Sequence, residues 1–274
     1  MKNMKIQYAS DLHLEFEENE DYIKQFPLEV AGDILVLAGD TCYLGKGVEH
    51  QRETFFKWCS DNYRETYLLP GNHEYYGKCP LDETLDGWQM DIYTNVHYLN
   101  NKSVVIGNAE LFFTTLWTCL EPQEIYDVQR VMNDFRKIRL SDNSFRATAQ
   151  NRIHQICRQW LVEALKESRA ETRIVVTHHC PVADAGVKSY VGAMAYPAYA
   201  EDMSPLMKEL VPDYWIHGHV HTRCTSGKMM AGTAILSNTL GYVDDEENIG
   251  FNKKAVIDTL DRSRRETSFF WPAT

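Results

Sequence analysis

Residues 34–40 read ILVLAGD, an apolar run that ends in a glycine and an aspartate. Short runs of this kind are typical of β-strands. The same order recurs in residues 5–13, KIQYASDLH, where an apolar run precedes Asp11 and His13. Open α/β sheets bind their ligands just beyond the carboxyl ends of their strands. Both stretches therefore predict strands whose ends deliver polar side chains to one rim of a sheet.

Further apolar runs extend this pattern along the chain. We predict strands at 5–9, 34–38, 66–69, 103–106, 111–115, 173–177, 214–217, 255–257 and 267–271. Apolar residues at steps of three and four between Phe145 and Ala164 predict the strongest helix. A shorter helical face begins at Phe55, and Ser204-Pro205 predicts an N-cap and first-turn proline of a helix that ends at Leu210. Alternating strands and helices predict a layered α/β fold.

Composition narrows the class of protein. The 274 residues are 44% hydrophobic and 24% charged, which excludes a disordered chain or a coiled coil. The 28 basic and 39 acidic residues give a net charge of −11, which disfavours nucleic acid and anionic membranes as partners. The sequence contains no signal-peptide pattern and no apolar run near ~18 residues. Its seven cysteines are scattered without a C-x-x-C motif. We therefore expect a cytoplasmic globular protein with no membrane partner.

The histidines are clustered where metal or proton chemistry would need them. Seven of the ten fall in four short clusters, at His13, His73, His178, His179, His217, His219 and His221. Each cluster follows or ends a predicted strand. Residues i and i+2 of an extended chain point to the same side, so Asp11 with His13, and His219 with His221, could each grip one cation.

The candidate ligands contain nitrogen and oxygen but no thiolate. This set suits Mn, Fe, Zn or Co and disfavours a structural zinc site or a calcium cage. Seven positions qualify: Asp11, His13, Asp40, Asn72, one of His178 and His179, His219 and His221. Seven ligands are too many for one catalytic ion that keeps an open position. Two divalent transition-metal ions that share one carboxylate would use them all.

The ordered motifs D-x-H, G-D, G-N-H-E, T-H-H-x-P and G-H-x-H, between residues 11 and 221, resemble those of the calcineurin-like metallophosphoesterase superfamily. The resemblance implies a four-layer αββα sandwich, and we expect residues 1–274 to form a single domain. It also implies a dimetal phosphoesterase that hydrolyses small phosphodiesters or phosphomonoesters by attack of a metal-bridging hydroxide.

The resemblance further implies a role for each motif residue. The first ion would be held by Asp11, His13 and His221, and the second ion by Asn72, His178 and His219. Asp40 would be the carboxylate that bridges the two ions. His178 is preferred to His179 because it leaves the strand first and the motif's proline follows. His73 matches the family's non-ligand histidine, which stabilises or protonates the leaving oxygen.

One motif departs from the protein serine/threonine phosphatases of this superfamily. They carry G-D-x-x-D-R-G, whereas residues 39–45 read GDTCYLG. Tyr43 and Leu44 replace the aspartate that pairs with the catalytic histidine and the arginine that forks onto phosphate. A phosphoprotein substrate is therefore disfavoured, and His73 is left without an assigned partner.

Other features receive simpler interpretations. The polar segment 121–146 is a candidate cap over the rim; Arg130, Arg136, Lys137 and Arg139 in it are either phosphate contacts or, preferably, a solvated helix face. The acidic runs 15–21 and 244–247 are interpreted as solvated loops. His217 is interpreted as a packing or ligand-orienting residue, Glu74 as a local hydrogen-bonding residue and Cys180 as a bystander.

Two rival functions are less consistent with the residues present. A metallophosphoesterase-like scaffold that binds partners with weak or no catalysis is the alternative, but the ligand set and His73 are complete. A dimetal amidase or peptidase is disfavoured because Asn72 and the ligand order do not match the carboxylate-rich sites of such enzymes.

Overall fold

The computed structural model of the protein describes residues 4–182 and 194–259. Its centre consists of two six-stranded sheets. In chain order, the first sheet contains β1 (Lys5–Ala9), β2 (Ile34–Leu37), β3 (Glu65–Leu68), β4 (Trp88–Tyr93), β5 (Val96–Asn100) and β12 (Val256–Asp258). The second contains β6 (Lys102–Ile106), β7 (Ala109–Thr114), β8 (Thr172–Thr177), β9 (Tyr214–His217), β10 (Cys224–Met230) and β11 (Thr233–Ser237).

Both sheets are mixed, with parallel strands at the centre. The first sheet has the order β12-β1-β2-β3-β5-β4, and the second has the order β10-β11-β9-β8-β7-β6. In each sheet the inner pairs are parallel and the two edge pairs are antiparallel. The carboxyl ends of the parallel strands therefore meet at one rim of each sheet.

Alternating apolar residues allow each sheet to pack on both faces. In β2, Ile34 and Val36 join a core cluster shared by both sheets, which also contains Ile174 and Val176 of β8. Leu35 belongs instead to a cluster that includes residues of the outer helices. The sheets thus pack face to face, with helices on their outer surfaces.

The outer layers contain seven α-helices within the described residues. They are α1 (Glu17–Gln25), α2 (Lys46–Gln51), α3 (Lys57–Asn62), α4 (Ile125–Val131), α5 (Asp134–Lys137), α6 (Ala147–Glu167) and α7 (Ser204–Leu210), with a π-helical turn between α2 and α3. Helices α1 and α3 contribute to the core of the first sheet, and α6 and α7 to the core of the second. The architecture is the expected α/β sandwich. None of the helices in the described ranges is long and apolar enough to cross a membrane.

The sequence-based predictions of the central strands and of the long helix are confirmed within a few residues. Strands β4, β5, β10 and β11 were not predicted. In β10, CTSGKMM, polar residues and a glycine break the apolar pattern. Helix α7 has Met203 rather than Ser204 at its N-cap position. The strand predicted at 267–271 lies outside the described residues.

Candidate metal centre

The loops after three strands are joined by backbone hydrogen bonds at one rim. The amide of Asp11 donates to the carbonyl of Gly39 at 3.0 Å, and the amide of His13 donates to the carbonyl of Asp40 at 2.9 Å. The amide of His219 donates to Oδ1 of Asp11, also at 3.0 Å. These bonds cross from the first sheet to the loop after β9, so the first, second and fifth motifs meet at one place.

The backbone at this rim is strained. Five motif residues have positive φ, a region that non-glycine residues rarely occupy: Asp11 (54°), His13 (48°), Asp40 (52°), His219 (68°) and His221 (45°). Each such conformation typically costs on the order of 1–3 kcal/mol and persists where the surroundings enforce it, often at functional sites. Five of the twelve non-glycine residues with positive φ in the described ranges are thus residues that the sequence singled out.

Asp11, His13 and His221 form one group of potential metal ligands. Nε2 of His221 lies 3.4 Å from Oδ1 of Asp11 and 3.2 Å from Nε2 of His13. One ligand atom from each residue lies within 4.8 Å of the others. The Asp11 and His13 side chains are fully buried and His221 is 9% exposed, so the group is nearly closed to solvent.

Asp40, His178 and His219 form a second such group. Nε2 of His178 lies 3.3 Å from Oδ2 of Asp40 and 3.0 Å from Oδ1 of Asn72. Nδ1 of His178 faces the carbonyl of Ala38 at 3.0 Å, so it carries the proton and leaves Nε2 free to face the group. The structure therefore places Asn72 beside this group, through its contact with His178.

Asp40 lies between the two groups. Its Oδ2 is 3.3 Å from Nε2 of His178 and 3.8 Å from Nε2 of His13. Burial opposes ionisation of Asp40, but the nearby His178 and His73 outweigh burial and hold its pKa well below the usual range. A buried carboxylate in this position could contact a cation in either group.

The donors present fit divalent transition-metal ions. Nε2 of His219 is buried and has no hydrogen-bond partner among the residues that the structure describes. Burial, and then the neighbouring His179, lower the pKa of His219 and keep its imidazole neutral, as a metal ligand must be. A buried, neutral, unpaired imidazole beside Asp40 is explained by a cation at this position.

Two residues of the acidic runs orient these histidines. Oε1 of Glu15 lies 3.1 Å from Nδ1 of His13, and Oε2 of Glu247 lies 2.6 Å from Nδ1 of His221. The carboxylates leave Nε2 of each ring facing the first group. The interpretation of both runs as solvated loops was therefore wrong for Glu15 and Glu247; in addition, residues 17–21 belong to α1.

Two further carboxyl groups support the second group. Oδ1 of Asp134 accepts a hydrogen bond from Nδ2 of Asn72 at 3.0 Å, which turns the amide oxygen of Asn72 toward His178. Glu74 accepts from the amides of Asp40 (2.9 Å) and Gly71 (2.7 Å), joining the loops after β2 and β3. Glu74 is thus the local hydrogen-bonding residue expected from the sequence.

His73 lies beside the two groups, at the start of a short 3₁₀ turn. Its amide donates to Oδ1 of Asp40 at 2.9 Å, and its Nδ1 lies 2.8 Å from Oε1 of Glu15. Burial opposes the charged form of His73, but Asp40 and then Glu15 raise its pKa above the ordinary value. Its partner, absent from the sequence prediction, is therefore Glu15. The signal was the D-x-H-x-E spacing, which places a carboxylate two residues after a motif histidine.

The calcineurin-like phosphoesterase profile matches residues 4–223, which is most of the chain and includes every residue of both groups. The chain belongs to this family. It is similar to "Uncharacterized protein L509" of Acanthamoeba polyphaga mimivirus, with 25% identity over 279 residues, 92% of this chain and 96% of the viral protein. The fold is similar to the solved structure of phosphopantetheinyl hydrolase (PptH) from Mycobacterium tuberculosis, with a TM-score of 0.65, 12% identity and 98% of each chain covered.

A pocket of about 170 Å³ opens at the candidate metal centre of this calcineurin-like phosphoesterase. It is lined by Asp40, Asn72, His73, Tyr76, Val131, Met132, Asn133, Tyr199, His219, His221 and Tyr242. Segment 121–146, the candidate cap, supplies three of these residues. From the sequence, Tyr75, Tyr76, Trp117 and Tyr190 are as typical of a core as of a pocket and receive no site role, and Tyr199 and Tyr242 were not considered. Trp117 and Tyr75 are fully buried and are core residues, and Tyr190 lies outside the described residues.

The described lining contains no lysine or arginine. Arg136 donates to the carbonyl of Arg130 and Arg139 to that of Arg136, while Nζ of Lys137 lies 4.6 Å from the ring centre of Tyr76. Arg130 lies near Sδ of Met194 at 3.6 Å. All four basic residues are exposed, as expected of a solvated face, and Lys137 contacts one tyrosine of the pocket lining.

The other candidates lie outside the two groups. Nδ1 of His179 faces the carbonyl of Thr115 at 3.2 Å, and its ring packs against Trp117. Nδ1 of His217 faces the carbonyl of Gly218 at 3.1 Å. Burial raises the pKa of Cys180 to about 12, so its thiol is neutral near pH 7. These contacts are those of packing residues.

Proposed function

We propose that the protein is a metal-dependent phosphoesterase with two divalent ions and a small phosphate ester as substrate. The observation that carries the proposal is the pair of ligand groups at one rim, with Asp40 between them. A single ion would leave one buried group without a cation.

In this proposal each motif residue has one role. The first ion is held by Asp11, His13 and His221, and the second ion by Asn72, His178 and His219. Asp40 is the bridging ligand. Bound ions would activate a water molecule and neutralise the charge of the phosphate. Manganese, iron, zinc and cobalt all suit these donors.

His73 is the proposed proton donor to the leaving oxygen. It lines the pocket, and Glu15 engages its Nδ1, so Nε2 is the atom that can act on a substrate. Nε2 has only a 3.4 Å contact with the hydroxyl of Tyr242. The raised pKa of His73 favours the protonated form that a general acid needs.

A phosphodiester is the preferred substrate. A diester carries one negative charge, whereas a monoester carries up to two near neutral pH, and the described lining contains no lysine or arginine to balance the second. The volume of about 170 Å³ favours a small group at the reacting phosphorus. The tyrosine side chains of the lining can pack against the group that leaves.

An activity screen of metal-reconstituted protein tests the proposal. The substrates are aryl monoesters, aryl diesters, cyclic nucleotides and single-stranded DNA, each assayed with manganese, zinc and cobalt. Metal-dependent hydrolysis of at least one ester supports the proposal. Protein that binds two ions but hydrolyses none would instead be a binding scaffold.

A further inference from the structure

One carboxylate oxygen contacts two histidines of the centre. Oε1 of Glu15 lies 2.8 Å from Nδ1 of His73 and 3.1 Å from Nδ1 of His13. The Glu15 side chain is 3% exposed, and its Oε2 has no hydrogen-bond partner among the described residues. Among the described residues, the hydrogen-bond contacts of this buried carboxylate are therefore with the two imidazole rings.

We propose that Glu15 is the positioning residue for His73. On this proposal, which rests on the proposed function, Glu15 holds the proton of His73 on Nδ1 in the neutral ring and directs Nε2 at the leaving oxygen. Position 43, where related phosphatases carry an aspartate, is a tyrosine in this chain. Glu15, four residues after Asp11, supplies a carboxylate from the first motif instead.

The ring packing of His73 cannot choose between its ring orientations, and the contact of Nε2 with the hydroxyl of Tyr242, at 3.4 Å, is much longer than the 2.8 Å bond of Nδ1 to Glu15. The ring packs 4.4 Å from Tyr76 and 4.5 Å from His13, centre to centre. A rotation of about 180° around the Cβ–Cγ bond keeps the ring plane and these packing contacts, but moves Nδ1 to the opposite edge. The bond to Glu15 distinguishes the two orientations, because only a nitrogen can donate to the carboxylate.

The alternative role for Glu15 is that of a metal ligand, since Glu15, His13 and His73 also form a group of potential ligands. The orientation of His13 argues against it. Nε2 of His13 faces Asp40 and His221, which belong to the other two groups. With Nε2 as the ligand atom, Nδ1 of His13 carries a proton, and it is this protonated atom that meets Glu15.

A double-mutant cycle tests the proposal on zinc-saturated protein. The variants are Glu15→Gln, His73→Ala and the double variant, assayed on an alkyl phosphodiester with a poor leaving group. Glutamine has the same shape without the charge, so the fold should be kept. We expect Glu15→Gln to lower kcat about 10–100-fold, with little change in KM. In the His73→Ala background, Glu15→Gln should lower kcat by less than about threefold, because the two residues act as one unit.

Nitrogen-15 NMR of the zinc-loaded protein supplies a readout that is independent of turnover. Neutral His73 should be a single Nδ1–H tautomer in the unmodified chain and a mixture of tautomers in Glu15→Gln. Glu17→Gln, an exposed change at the start of α1, is the matched control and should alter neither the spectrum nor kcat.

Three results would overturn the proposal: losses in the cycle that multiply, a His73 tautomer that Glu15→Gln leaves unchanged, or a third zinc ion that Glu15→Gln removes. The arms also separate this proposal from the proposed function. If the unmodified protein hydrolyses no phosphate ester, the proposed function fails, and the spectrum still reports whether Glu15 sets the tautomer.

Discussion

Gly39 faces the imidazole ring of His178 so closely that a Cβ on Gly39 would lie 2.4 Å from Nδ1 of His178. That nitrogen bonds to the carbonyl of Ala38, the residue before Gly39. Gly39 has a φ of +88°, a conformation that glycine adopts without strain. The position of the His178 ring therefore depends on the absence of a side chain at position 39.

Gly39→Ala should displace His178 and weaken the second ion. We expect its metal affinity to fall at least about tenfold, as measured by titration with zinc. Gly45→Ala is the matched control, because Gly45 also has positive φ (+73°) but an added Cβ would meet nothing within 4 Å. Equal losses of metal affinity in both variants would show that backbone strain, rather than contact with His178, is responsible.

His73→Ala should retain both ions and lose turnover. Removing a general acid typically costs ~10²–10⁴-fold in kcat, and the loss should be greatest with an alkyl leaving group. A p-nitrophenolate leaving group needs little protonation, so the decrease in kcat with this group should be smaller. His50→Ala, an exposed histidine, is the control. Loss of metal from His73→Ala, or equal losses with both leaving groups, would contradict the general-acid role.

Aryl phosphodiesters should be better substrates than phosphopeptides. The physical reasons are the absence of lysine and arginine from the described lining and the replacement of a phosphate-binding arginine by Leu44. Steady-state kcat/KM with bis(p-nitrophenyl) phosphate and with a phosphoserine peptide measures the preference. A higher value for the peptide would overturn the inference.

Metal uptake should release protons. Burial opposes the charged forms of His178 and His221, but Asp40 raises the pKa of His178 to about 9, and Asp11 with Glu247 raises that of His221 to about 10. Both rings are therefore protonated at pH 7 in the metal-free protein and must lose their protons to bind metal. We expect release of about two protons at pH 7 and an affinity that increases with pH up to about 9–10. Calorimetry in buffers of different ionisation enthalpy measures the release; the same heat in every buffer would contradict it.

The sequence predicted the strands that carry the site because those strands are buried and strongly apolar. β2 (ILVL) is entirely apolar, β8 (TRIVVT) has three apolar residues in a row, and the ends of both strands carry motifs. Edge strands such as β10 are less constrained by burial, so polar residues and a glycine replace the alternating pattern. Their pairing depends on the neighbouring strand rather than on their own composition.

The grouping of the candidate ligands could be predicted because their residue types and spacing are those that contact with a cation would require. The residues that orient them could not. Glu247 contacts His221 across 26 positions, and Asp134 contacts Asn72 across 62. Both lie in polar stretches with the composition of ordinary surface loops. Only the folded chain shows that one side chain in each stretch turns inward.

Metal analysis of reconstituted protein shows whether two ions share Asp40. We expect two tightly held ions for each unmodified chain, loss of one or both in Asp40→Ala, and two ions in the control Asp245→Ala, which changes an exposed residue. A single tightly held ion that persists in Asp40→Ala would contradict the two-metal account.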